Sequence, residues 1–110
     1  MSEQKMFRKG EPRYFINGIE ARLPVMYQIF IWDIIDGSRE QGQEIDYLQV
    51  FELEVYEIET RIMLKIIHSQ EMPGFSRIYR IPIKKEDSIN GKIYVIDEIT
   101  HATVLWAEEY

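Results

Sequence analysis

The chain has no cysteine in its 110 residues. That excludes a disulfide framework, thiolate metal sites and cysteine nucleophiles, and it fits a reducing compartment. Histidine is almost as scarce, with His68 and His101 alone. Long apolar runs are missing too. The longest, Ile29 to Trp32 with Ile34 and Ile35 beyond, is broken by Asp33 and ended by Asp36. A membrane-spanning helix needs about 20 such residues. The opening MSEQKMFRKGEPRY is charged and holds no apolar stretch of a secretory signal. A cytoplasmic protein is expected. No Walker loop, no GxGxxG after a strand, no GxSxG elbow and no HExxH occurs, so the nucleotide, hydrolase and zinc-protease signatures are absent.

What is present is an ordinary globular composition, 45% apolar and 29% charged, at the usual length of one domain. Residues 1–12 are expected to form a flexible N-terminal arm, and 13–110 a single domain. The net charge of −6 is unevenly spread: residues 33–59 hold nine acids against Arg39 alone. Net acidity argues against a general affinity for nucleic acid, which rests on neutralising phosphates. Arg77, Arg80, Lys84 and Lys85 cluster, and they are read as balancing that acidic stretch within the fold.

The pattern predicts one helix and five or six strands. Arg13 to Glu20 reads as a strand ending near Asn17-Gly18. A helix over about 24–41 opens at Pro24, which suits the first helical position, and stops at Gly42. Met26, Tyr27, Phe30, Ile31, Ile34 and Ile35 make its broad apolar face. On the opposite side Val25, Ile29 and Trp32 form a second stripe at i, i+4, i+7, the candidate partner-binding residues. Tyr47–Tyr56 and Arg61–Ser69 form a hairpin. Pairing Tyr56 with Arg61 sets Phe51, Leu53 and Val55 opposite Ile66, Leu64 and Ile62, with Gln49 opposite His68. Ser76–Ile83 is a further strand, placed at an edge or a strand end by Pro82. Lys92–Asp97 and Ala102–Ala107 make a last hairpin, with Asp97 opposite Ala102. The fold class is α+β: one helix on a mainly antiparallel sheet. One helix covers one face of a sheet. The other, carrying Leu48, Val50, Tyr56, Met63, Ile67 and Trp106, either curls into a partial barrel or meets another chain.

Two clusters are candidates for chemistry. Asp97, Glu98 and His101 are candidate metal ligands, but Asp97 and Glu98 point to opposite faces of their strand, and turn chemistry accounts for the composition. His68 and Glu71 are candidate catalytic residues, with His68 read as a core-rim histidine hydrogen-bonded to Gln49. No cofactor is implied.

The stretches IDYLQVFEL at 45–53, KIIHSQEMPGF at 65–75 and IYVIDEITHATVLWAEEY at 93–110, with RYFINGIEARLP before the helix, resemble one bacterial family. It is the small single-domain group called domain of unknown function 960, of low-GC Gram-positive bacteria. The resemblance spans about 13–110 and implies a single cytoplasmic domain, with no activity or catalytic residue to carry over. The expected function is a non-enzymatic protein-interaction or regulatory module, acting on a protein partner or as a homo-oligomer. The alternatives are a small metal-dependent or acid–base enzyme using His68 and His101, and an acidic nucleic-acid mimic.

Overall fold

The computed structural model describes residues 6–8 and 10–110. Its strands are β1 Arg13–Phe15, β2 Leu48–Ile58, β3 Arg61–Glu71, β4 Gly74–Pro82, β5 Gly91–Asp97 and β6 Ala102–Trp106. Its helices are α1 Asn17–Arg22 and α2 Val25–Glu40. The strands form one six-stranded sheet in the order β1-β6-β5-β2-β3-β4. All neighbours are antiparallel except β1, which lies parallel beside β6. The sheet is open, with β1 and β4 as its edges, and does not close into a barrel.

The first segment departs most from expectation. The strand stops at Phe15, and Asn17-Gly18 opens α1 instead of a turn. Long-range contacts decide this. The Ile16 N–H donates to the Val104 carbonyl at 2.9 Å, and the Ile16 carbonyl accepts from Ile19 at 2.8 Å. The Trp106 indole N–H then donates to the Gly18 carbonyl at 3.0 Å. Nor do the described residues before β1 hang free. Phe7 is buried, its backbone N–H donates to Asp97 Oδ2 at 2.8 Å, and its ring meets Trp32 edge-on at 6.0 Å. Of the arm expected over 1–12, residues 6–8 and 10–12 pack on the domain, and the rest lies outside the described residues.

α2 has the expected extent. Pro24 stands one place before its first residue, and its carbonyl accepts from Tyr27 and Gln28 at 3.0 and 3.3 Å. Gly42 follows the helix at φ +87°, the left-handed conformation that glycine adopts most readily. Tyr27, Ile31, Ile34 and Ile35 are buried, Phe30 packs edge-on against Tyr79, and Met26 is exposed.

The β2–β3 hairpin has the expected faces and a different register. Ile58, not Tyr56, pairs with Arg61, and Glu59-Thr60 is a two-residue turn with Glu59 at φ +57°. The shift is by two residues. Parity is therefore kept, and Phe51, Leu53, Leu64 and Ile66 still face the core. The partners change: Phe51 now lies opposite His68, and Glu54 opposite Lys65, with 3.3 Å between carboxylate and ammonium. Pro82 ends the edge strand β4, where its missing donor is harmless. The last hairpin has the expected register, Asp97 opposite Ala102.

The helices cover one face of the sheet. There Phe51 and Leu53 of β2, Leu64 and Ile66 of β3, Ile93 and Val95 of β5 and Trp106 of β6 make the core with α2. Fully burying one such side chain contributes about 1.5–3 kcal/mol.

Candidate functional site

His68 is fully buried on the core face of β3. Phe51 stacks on it with ring centroids 4.5 Å apart and planes 4° from parallel, and Phe75 meets it edge-on at 5.2 Å. Its Nε2 lies 2.6 Å from Gln49 Oε1. An amide oxygen only accepts, so Nε2 carries the proton and Nδ1 is bare; Nδ1 has no hydrogen-bond partner among the described residues. Burial, and secondarily the Arg77 guanidinium, pushes the ring down to about 4, so it is neutral at pH 7. Gln49 is equally buried. Its amide donates to Gln70 Oε1 at 2.8 Å and to the Asp46 carbonyl at 2.9 Å. Gln70 donates in turn to the carbonyls of Glu44 and Pro73 at 2.9 and 2.8 Å. The His68–Gln49–Gln70 chain therefore ties the loop after α2 and the β3–β4 turn to the sheet. Glu71 is exposed at the end of β3, on the opposite face from His68 by strand alternation. The structure does not bring these two candidates together.

Asp97, Glu98 and His101 divide in the same way. Asp97 turns inward, and its two oxygens accept the backbone N–H groups of Phe7 at 2.8 Å and Ile99 at 3.0 Å. Glu98 and His101 approach each other across the exposed β5–β6 turn, 3.1 Å from Oε2 to Nε2, with the Thr103 hydroxyl donating to the same oxygen at 2.6 Å. Among the described residues no group of three or more His, Asp or Glu side chains converges to hold a metal ion. His68 lies on β3 and His101 in the β5–β6 turn, with β2 between β3 and β5, so they are at least two strand spacings apart, about 10 Å at about 4.8 Å per spacing. A shared acid–base or ligand set is not assembled from them.

Near the N-terminus lies a pairing that sequence spacing did not reveal. Glu11 is buried beside Asp97; burial first, then the Asp97 charge and a hydrogen bond with it, push the Glu11 carboxyl above its ordinary range, against the pull of Arg8 and Arg13. The same side of the molecule holds a cleft of about 340 Å3 lined by Gly10, Glu11, Arg13, Asp36, Arg39 and Glu40. Within it Arg13 donates to Asp36 at 2.6 Å.

Of the helix stripe, Val25 and Ile29 are exposed at 67% and 57%, whereas Trp32 is 6% exposed. Trp32 packs under the Arg13 guanidinium, 3.9 Å from the ring centroid, and against Phe7. The stripe is thus an exposed pair rather than a surface of three. The carboxylates of residues 33–59 are also divided: Asp33, Asp36 and Glu40 lie on α2, Glu52 and Glu54 on the face of β2 turned away from it, and Glu59 at a hairpin tip. They do not make the single acidic face that nucleic-acid mimicry requires.

The uncovered face of the sheet has an organisation that only the strand order reveals. One row across it reads Leu105, Tyr94, Val50, Ser69, Ser76; the row before it reads Thr103, Ile96, Leu48. Lys92 then faces Glu52, followed by Ile67 and Ile78. Tyr110 lays its ring edge-on against Tyr94 at 5.5 Å. Leu105 is buried, Leu48, Val50, Tyr94, Ile96 and Ile67 are half-buried, and Ile78 is exposed; among the described residues neither α1 nor α2 lies above them.

A helix-on-sheet α+β domain with one apolar sheet face left bare is the class that these observations define. The family model described as "Staphylococcal protein of unknown function (DUF960)" matches residues 12–109, and the chain belongs to that family. A crystal structure described as a protein of unknown function from Enterococcus faecalis shares the fold, with a TM-score of 0.76, 22% identity, and coverage of 100% of this chain and 98% of that one. No match is found among the curated proteins. No helix among the described residues is long and apolar enough to cross a membrane.

Proposed function

We propose that the chain is a non-enzymatic protein-interaction module whose contact surface is the bare face of its sheet. One observation carries this reading: neighbouring outward positions of β5, β2 and β6 hold Tyr94, Ile96, Leu48, Val50 and Leu105, with Thr103 the one polar residue among them. An antiparallel sheet with one face in water alternates apolar-in and polar-out. Contiguous apolar surface rimmed by charge marks an interaction site, and here the rim is Lys92, Glu52, Glu54, Lys65 and Arg80. The sheet face carries the reading better than the helix, where burial of Trp32 leaves only Val25, Met26 and Ile29 outside. The histidines argue in the same direction, since His68 is sealed in the core as a neutral ring and His101 has one carboxylate partner at a turn.

The test is lysine crosslinking in living cells that make the protein. Lys65 and Lys92 flank the apolar rows, and both are expected to crosslink to another polypeptide chain. Val50→Lys, which plants a charge in the centre of the face, is expected to abolish those crosslinks. If the two lysines react only within their own chain, and Val50→Lys changes nothing, the sheet face is not the working surface.

A further inference from the structure

Resting on that reading, we infer that the bare face is covered by a second copy of this chain, face to face about a twofold axis that runs along the strands between β5 and β2. Such an axis places β5 of one copy over β2 of the other. Cross-strand rows are kept, because residues paired within one sheet stand at the same height along it. Val50 then meets the partner copy's Tyr94 and Leu48 meets its Ile96, so apolar rows close on apolar rows. The next row decides the occupant. Lys92 and Glu52 are paired in register across β5–β2. Both are exposed, and among the described residues neither makes an ion pair within its own chain. Under the twofold axis, Lys92 of each copy sits over Glu52 of the other. This is the isologous arrangement, in which i meets j and j meets i. A face that is its own electrostatic complement fits a second copy without any further feature.

The size is sufficient. Strands β6, β5, β2 and β3, which lie over one another across this axis, at about 4.8 Å spacing and roughly seven residues each, give a flat footprint of roughly 450 Å2 before side-chain relief. Relief brings it to the lower end of the roughly 600–1,000 Å2 per partner of a specific interface. Twisted sheets pack face to face about 10 Å apart with strands within about 30° of each other, which is the relation this axis produces.

The experiment is sedimentation of the purified full chain. A particle of twice the 13.2 kDa chain mass is expected. Lys92→Glu and Glu52→Lys set like charges against each other across the axis, and each alone is expected to weaken self-association roughly tenfold. Mixing the two variants is the decisive step. A heterodimer restores both intermolecular pairs while positions 52 and 92 within each chain still carry like charges, so association in the mixture is expected to return to the wild-type level. Circular dichroism of each variant establishes that it is folded. A dimer whose strength ignores both substitutions, or a mixture with no rescue, overturns the proposed geometry. A wild-type monomer at every soluble concentration also overturns the second copy as occupant. If Lys65 and Lys92 nevertheless crosslink in cells to a different protein, the interaction module stands and its partner is another chain.

Discussion

His68 makes the fold sensitive to acid through one side chain. Its ring is pushed down to about 4 by burial first and by Arg77 second, whereas an unfolded histidine titrates near 6.5. Between those values the unfolded chain takes up a proton that the folded chain refuses, so stability rises with pH across that window. Its full contribution is present above about pH 6.5 and is lost as pH falls toward 4. The linkage amounts to roughly 3 kcal/mol, at about 1.4 kcal/mol per pH unit. Denaturant melts at steps from pH 7 to pH 4 measure it. In His68→Phe, which keeps an aromatic ring between Phe51 and Phe75, the His68 share of the slope is expected to vanish. Absolute stability also falls, because Gln49 Oε1 loses its donor, at about 1–3 kcal/mol. The slope is therefore the diagnostic quantity. The sequence places His68 and Gln49 on inward positions of neighbouring strands and expects their hydrogen bond from a directly opposite pairing; the true register sets them two residues apart, and the side chains still meet. Gln70 and the Glu11–Asp97 pair were not legible in it. They depend on where a loop and the chain's first residues come to rest, and local alternation holds no record of that.

Among the elements, the β2–β3 hairpin shows how far periodicity reaches. Alternation identified the inward side chains of both strands, and a period of two fixes them whatever the turn. It did not reveal the turn. A two-residue connection is announced by Asn-Gly or Asp-Gly, and here Glu59-Thr60 takes that place with Glu59 at φ +57°. Glutamate gives no such signal, so the sequence ends β2 at Tyr56, two residues short of its tip at Ile58, while the start of β3 at Arg61 agrees. The same residue yields a prediction: Glu59→Gly relieves a left-handed cost of about 1–2 kcal/mol, less the entropy that glycine loses. A gain of up to about 1 kcal/mol in the unfolding free energy is expected, read as a shift of the denaturant midpoint at constant slope. A loss of stability in that variant would contradict the turn geometry. α2 was legible in extent because its apolar period, Pro24 and Gly42 agree. α1 was not, since Asn17-Gly18 resembles a turn until Trp106 and Val104 reach it from the far end of the chain.

For the whole molecule, the parallel pairing of β1 with β6 has a consequence for the order of assembly. The chain's first strand closes on its last, and the Phe7 N–H reaches Asp97 across 90 residues. By contrast β2, β3 and β4 are consecutive neighbours. Local hairpins form early, and pairings distant in sequence wait on loop closure. A chain cut before Gly91 therefore keeps β2, β3 and β4 but has no neighbour for β1, no Trp106 for α1 and an open second edge on β2. Such a fragment is expected to show no cooperative thermal transition, whereas the full chain melts in one step; calorimetry of both decides it. During synthesis β2, β3 and β4 emerge before β5 and β6. Until those two follow, the growing chain carries a three-stranded ribbon with both edges open and a helix with half its floor missing. The domain thus completes its fold only once β6 is out, and its most adhesive moment comes just before that.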